Sequence, residues 1–181
     1  MHDQKQSLHR GCLTVRQMLE YKRQRFIKGS IYFTVYGIAI GKQMPRVVRL
    51  ASGGSRAFKP KPTQEWESSI AGQAYKYRPE VPFDEPMALG CLFFRPMPAY
   101  IVNSKRKYQD ALSFKLLPDK KPDVKNLVAS VEDALEGVFW KNDSCIVQYI
   151  GLNNLPFGKY YGETPRIEIV IIPIRLLHKG D

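Results

Sequence analysis

At 181 residues the chain is long enough for one domain with a substantial core, and 44% hydrophobic with 12% aromatic residues excludes an intrinsically disordered protein. No run approaches the ~18 apolar residues of a membrane span, the polar start is not a secretory signal, and Cys12, Cys91 and Cys145 with three histidines build neither a disulfide framework nor a zinc cage, so no membrane partner and a reducing, cytoplasmic setting are expected. The formal net charge of +11 points to a polyanionic partner.

Residues 1–13 are polar and without periodicity and read as a loose tail. Thr14 to Gln17 resembles a capping box, and Met18, Leu19, Lys22 and Phe26 then share one side of a short basic helix that Gly29 ends. Residues 1–30 are therefore read as a basic N-terminal extension, with one main domain over 31–181.

Ile31 to Ile40 alternates β-branched and aromatic residues and predicts the first strand. The segment Gly41 to Arg46 breaks it, Val47 to Leu50 is a second extended piece, Ser52-Gly53-Gly54-Ser55 is a turn, and Ala57 to Pro60 is extended again. Thr63 opens a helix through about Tyr77 with Trp66, Ile70, Ala71 and Ala74 inward. After a turn-rich connection, Met87 to Phe94 reads as a central strand. Arg95 to Lys121 reads as one long polar loop, a length associated with function or mobility.

Lys121 to Asp143 carries the strongest helical signal. Val124, Leu127, Val128, Val131, Ala134 and Leu135 line one face, and Gly137 supplies the stop. Asp123 stands at the mouth of this helix and Asp143 in the turn beyond its exit. Ser144 to Ile150 is a strand, Gly151 to Pro165 a loop, and Arg166 to Ile172 a last strand ended by Pro173. Strands in hairpin-like pairs separated by helices predict an α+β sheet with helices packed on one side.

The charge is unevenly spread. Residues 1–60 hold twelve Lys or Arg against two acids, whereas residues 123–181 hold eight acids against six bases. A basic surface beside an acidic cluster suits a polyanion held against metal-binding carboxylates. A generic basic nucleic-acid-associated domain has the same composition.

The segments Lys121-Pro122-Asp123-x-x-Asn126-Leu127, Asp133-Ala134-Leu135-x-Gly137 and Trp140-Lys141-x-Asp143-Ser144-x-Ile146 resemble the core of the RusA-type Holliday-junction resolvases. Further matches are Gly41-Lys42-x-x-Pro45-Arg46, Phe58-Lys59-Pro60-x-x-Thr63-x-x-Trp66-Glu67 and Pro165-Arg166-x-Glu168-Ile169, so the resemblance spans roughly residues 31–173 in order. It implies a mixed, largely antiparallel sheet and a homodimeric, Mg²⁺-dependent endonuclease, with Mn²⁺ as a substitute, that nicks four-way junctions in branched DNA. Such proteins occur in bacteria and are common in phages and prophages. Phosphodiester hydrolysis requires an activated water and charge relief at the phosphate, both of which carboxylate-held Mg²⁺ supplies.

Carried over by position, the resemblance assigns Asp123 and Asp143 as metal ligands. Lys125 stands where the family has a second aspartate, Ala129 where it has a lysine, and Asn142 where it has the first of two acids. A cation replacing a ligand weakens Mg²⁺ binding by ligand loss and repulsion. Residues 125 and 129 lie one turn apart, so Lys125 can serve the phosphate that the family's lysine would contact. Glu132 and Asp133 lie two turns beyond, too far from Asp123 for a shared ion, which leaves Glu163 and Glu168 as compensating ligands.

Each assignment has a plainer alternative. Asp123 is a favoured helix N-cap, Asp143 a turn initiator, Lys125 an exposed helix residue, and Asn126 either a buried loop-holding group or a ligand positioner. Asp133 is read as structural, and Trp66 and Trp140 as core. Lys42, Arg46, Lys59, Lys105, Arg106 and Lys107 are the candidate DNA contacts, against solvated loop charge. Two functions follow: a junction endonuclease using Asp123, Asp143 and Lys125, or a non-catalytic branched-DNA-binding relative with a degraded metal site.

Overall fold

A computed structural model describes residues 27, 29–49 and 52–177, so the expected tail and basic N-terminal helix lie outside the described residues. The central strand is β4 (Met87–Pro96), whose first eight residues are all buried. Strand β7 (Arg166–Pro173) runs antiparallel beside it, and β1 (Ile31–Tyr36) runs antiparallel on the far side of β7. The other flank of β4 is shared. Strand β5 (Ile146–Ile150) pairs in parallel with its first half and β6 (Gly158–Gly162) in parallel with its second. The result is a mixed five-stranded sheet in an α+β fold, antiparallel along its longest registers.

Side chains alternate across the sheet and divide the core in two. On one face Phe33, Val35, Leu89, Cys91, Phe93, Ile167, Ile169 and Ile171 pack beneath helices α1 (Lys61–Ala74) and α4 (Val124–Leu135). Helix α1 buries Thr63, Trp66, Ile70 and Ala74 at helical spacing; α4 buries Leu127, Val131, Ala134 and Leu135, and the two helices pack together. On the other face Leu92, Phe94, Tyr160, Val170 and Ile172 are covered by Phe114, Leu152 and Leu176. Burying a Leu or Phe contributes about 1.5–3 kcal/mol each, so the strength of the fold lies in these two layers.

Three expected segments differ from the structure. The first strand stops at Tyr36 rather than Ile40. There Gly37 has φ +135°, and a Cβ on it would stand 2.7 Å from the Trp66 ring, so the chain turns away under that indole. Residues 95–121 are not one loop. Strand β4 runs on to Pro96, and two short helices follow, α2 (Ala99–Val102) and α3 (Lys105–Leu112), which fold Ile101 and Ala111 onto Tyr161. Helix α3 is too short and polar to show a period, and its Ser104 cap is its one local sign. Residues 151–165 likewise contain β6, whose Tyr160 and Tyr161 are buried on opposite faces between flanking glycines.

Residues Arg46–Arg49 (β2) and Ser55–Phe58 (β3) form a separate antiparallel ribbon outside the main sheet. A one-turn helix, α5 (Ile174–Leu177), follows β7. No helix among the described residues is long and apolar enough to cross a membrane.

Candidate active site and nucleic-acid interface

Helix α4 organises the candidate site. Its first turn is fixed by Asp123, whose backbone carbonyl accepts from Asn126 N and Leu127 N at 3.1 Å each. Asp123 occupies the N-cap position, yet its carboxylate makes no capping hydrogen bond and is exposed. The plain N-cap role is therefore not the one its side chain plays. It instead lines a cleft of about 390 Å³ with Lys42, Arg95, Lys121 and Asn126.

The cleft walls are held from several directions. Arg95 donates from Nη1 to the Ala39 carbonyl at 2.6 Å, and burial lowers its pKa. Asn126 accepts from Lys42 N at 2.7 Å through its backbone carbonyl. Gly41 slides between Pro122 and Asn126, where a Cβ would come within 2.8 Å and 3.1 Å of their Cβ atoms. Lys159 of β6 donates to the carbonyls of Lys120 at 2.7 Å and Pro122 at 3.2 Å. Nothing in the sequence marks Lys159, because its strand has no recognisable signature.

Asp143 belongs to the other end of α4. Trp140, fully buried, donates from Nε1 to Asp143 Oδ1 at 2.9 Å. Glu132, in the last turns of α4, accepts from Tyr149 Oη at 2.6 Å. Burial raises the Glu132 pKa, the Tyr149 hydrogen bond opposes this, and the negative charge of Asp143 adds to the rise. Tyr149 is itself pushed up by burial and then by Glu132. Two turns of helix separate Glu132 from Asp123. In the structure it is the charge of Asp143, at the other end of α4, that reaches it.

Asp123 therefore shares a cleft with Arg95 near the C-terminal end of β4, whereas Asp143 precedes β5, whose Ile146 pairs with Met87 at the N-terminal end. Among the described residues no three His, Cys, Asp or Glu side chains converge. The two suggested compensating ligands are engaged elsewhere. Glu168 pairs with Arg166 at 2.9 Å and accepts from Asn153 at 3.0 Å. Its neighbours Ile167 and Ile169 face α4, so strand alternation turns Glu168 to the opposite face of the sheet. Glu163 accepts from the Tyr108 hydroxyl.

The candidate DNA contacts fall into three groups. Lys42 and Lys59 both bond Asp133, at 3.0 Å each, and Lys59 also bonds Glu67 at 2.8 Å. Asp133 is thus structural, as expected from the sequence. Arg46 stands exposed on the ribbon. Lys105, Arg106 and Lys107 are exposed in the first turn of α3, which carries no acidic residue, so cations crowd the positive end of its dipole. Lys125 is exposed in the first turn of α4.

Comparison with known proteins adds two findings. Residues 37–172 match the sequence model of a family described as endodeoxyribonuclease RusA. The chain is also 35% identical over 141 residues to the uncharacterized protein YqaN of Bacillus subtilis (strain 168), a match covering 78% of this chain and 94% of that protein.

Proposed function

Because the chain belongs to the RusA endodeoxyribonuclease family, we propose that it is a divalent-metal-dependent endonuclease for branched DNA, nicking four-way junctions as a homodimer. Two sites related by a two-fold axis would give paired cuts across a symmetric junction. The observation that carries this reading is the outward-facing Asp123 carboxylate at the mouth of α4, in a cleft with Lys42, Arg95 and Lys121.

Mg²⁺ or Mn²⁺ supplies charge relief at the scissile phosphate and an activated water when bound. Asp123 and Asp143 are the proposed ligands, each at its own end of α4. The donor chemistry at the Asp143 end suits a hard cation, since the negative charge of Asp143 reaches Glu132 and raises its pKa, a repulsion that a bound cation would relieve. Such ions commonly take only one or two protein carboxylates and fill the remaining positions with water and phosphate. Trp140 orients Asp143, and Tyr149 orients Glu132. At the mouth, Lys121 and Arg95 draw the phosphate backbone toward Asp123, and Lys125 adds positive charge two residues along.

A second reading rests on that same lysine. With Lys125 in place of a carboxylate and no acid in the first turn of α4, the mouth of the helix is a phosphate grip, as in a non-catalytic branched-DNA-binding relative. A mobile four-way junction in Mg²⁺ or Mn²⁺, with linear duplex and EDTA controls at one salt concentration, separates the two. Symmetric nicks abolished by Asp123→Asn support the enzyme. Tight junction binding without nicks at any metal concentration establishes the binder, and equal affinity for junction and duplex refutes both.

A further inference from the structure

We propose that the β2–β3 ribbon is a DNA-docking arm whose Arg46, Val48, Arg56 and Phe58 face lies in the major groove of a duplex arm of the branched substrate. This rests on the reading of the chain as a branched-DNA protein and adds the surface by which it grips the duplex beside the candidate site.

Among the described residues the ribbon pairs only with itself, and all eight of its strand residues are exposed. A lone two-stranded hairpin is marginal in water, yet this one leaves Val47, Val48 and Phe58 uncovered at 68%, 48% and 43% exposure. Cross-strand register sorts its side chains. Arg46 lies opposite Phe58 and Val48 opposite Arg56, so these four share one face; Val47, Ala57, Arg49 and Ser55 share the other. On the first face the Arg56 guanidinium lies 5.1 Å from the Phe58 ring centre. Two guanidinium groups and two apolar side chains thus form one continuous surface.

Charge selects the occupant. From Ile31 to Gln64 the chain has six Lys or Arg and no Asp or Glu. The two lysines at the root of the ribbon, Lys42 and Lys59, are balanced by Asp133 and Glu67. No ion pair among the described residues engages Arg46, Arg49 or Arg56. A second copy of the ribbon would set like charges against one another, whereas a polyanion complements all three arginines. Size agrees: two strands about 4.8 Å apart with their side chains fit a groove about 12 Å wide. Arginine then contacts phosphates or guanine edges, and Phe58 and Val48 meet thymine methyl groups. The same root contacts, with Gly41 packed under Pro122 and Asn126, fix the ribbon beside the Asp123 cleft.

The test uses the full-length chain, a fluorescein-labelled four-way junction and a linear duplex of one arm, with anisotropy measured across a salt series in EDTA. Arg46→Ala/Arg56→Ala is expected to weaken binding to both DNAs about tenfold or more and to flatten the slope of log K against log salt by about 2. Arg46→Lys/Arg56→Lys, which keeps the charge, is expected to retain the slope, and Phe58→Ala to weaken binding at unchanged slope. A wild-type slope in the double alanine variant overturns the proposal. So does a shift in oligomeric state by light scattering, which would show a second copy on the ribbon. Absence of any DNA binding by the wild-type chain overturns both this and the reading it rests on. A wild-type chain that nicks junctions while the double alanine variant keeps its slope overturns the ribbon alone.

Discussion

Lys42 Nζ lies 3.0 Å from Asp133 Oδ1, while the other oxygen of the same carboxylate holds Lys59 at 3.0 Å. Lys42 precedes β2 and Lys59 follows β3, so a single side chain of α4 clamps both roots of the ribbon. Glu67 of α1 adds a second carboxylate to Lys59. The motif helix therefore carries the acidic ends of the candidate site and also sets the position of the basic arm.

Burial pushes the Asp133 carboxyl up, but the hydrogen bonds and charges of Lys42 and Lys59 together outweigh it and hold the group below the usual 3.8. A depressed acid pKa gives stability that is present above 3.8 and lost as pH falls through the lower folded value. Thermal melts of the wild-type chain should therefore lose midpoint temperature as pH falls below about 3.8. Asp133→Asn should be less stable by about 1–3 kcal/mol at neutral pH, with that part of the acid dependence removed. An Asn variant that melts with the wild-type chain at pH 7 would show that the clamp contributes nothing.

Lys125→Asp should act twice. A carboxylate in the first turn of α4 complements the helix dipole and should raise stability by about 0.3–1 kcal/mol. It should also strengthen Mg²⁺ binding at the mouth of the helix. Calorimetric titration of Mg²⁺ into wild type and variant measures the second effect, and unchanged affinity would mean that residue 125 does not face the ion.

Trp140→Phe removes the Trp140 hydrogen bond that orients Asp143 while keeping an aromatic ring in the core. Loss of the bond and the smaller ring should cost about 1–3 kcal/mol. Junction nicking should fall in proportion to the disorder introduced at Asp143, with junction affinity in EDTA unchanged. A parallel fall in affinity would instead place Trp140 in DNA binding.

Gly41→Ala should be disproportionately harmful for a single methyl group. The new Cβ would stand 2.8 Å from the Pro122 Cβ, and the displaced loop carries Lys42. Overpacking of this kind costs about 1–3 kcal/mol. Denaturant unfolding measures it; a midpoint equal to that of the wild-type chain would show that the loop yields without cost.

The parts legible in the sequence share one property: their signal repeats along the chain. β1, β4 and β7 show alternation or a buried apolar run, and α1 and α4 show helical spacing of their inward residues. β6 and α3 were not legible because each is short and takes its burial from a neighbour. Tyr161 is covered by Ile101 and Ala111, and those contacts cannot be inferred from residues 158–162.

The candidate site divides along the same line. Asp123, Lys125, Asp133 and Asp143 stand out in the sequence because the family pattern is a local string of residue types around one helix. What that string determines is identity, and hence the charge and ligand chemistry available at each position. Which groups meet was decided by packing. The Asp133 clamp on Lys42 and Lys59 and the pairing of Glu132 with Tyr149 beside Asp143 each bring together residues far apart in sequence. Strand alternation turned Glu168 to the wrong face. Interaction energies between charged groups depend on distance through space, which falls out of register with distance along the chain as soon as sheet and helices close on a common core.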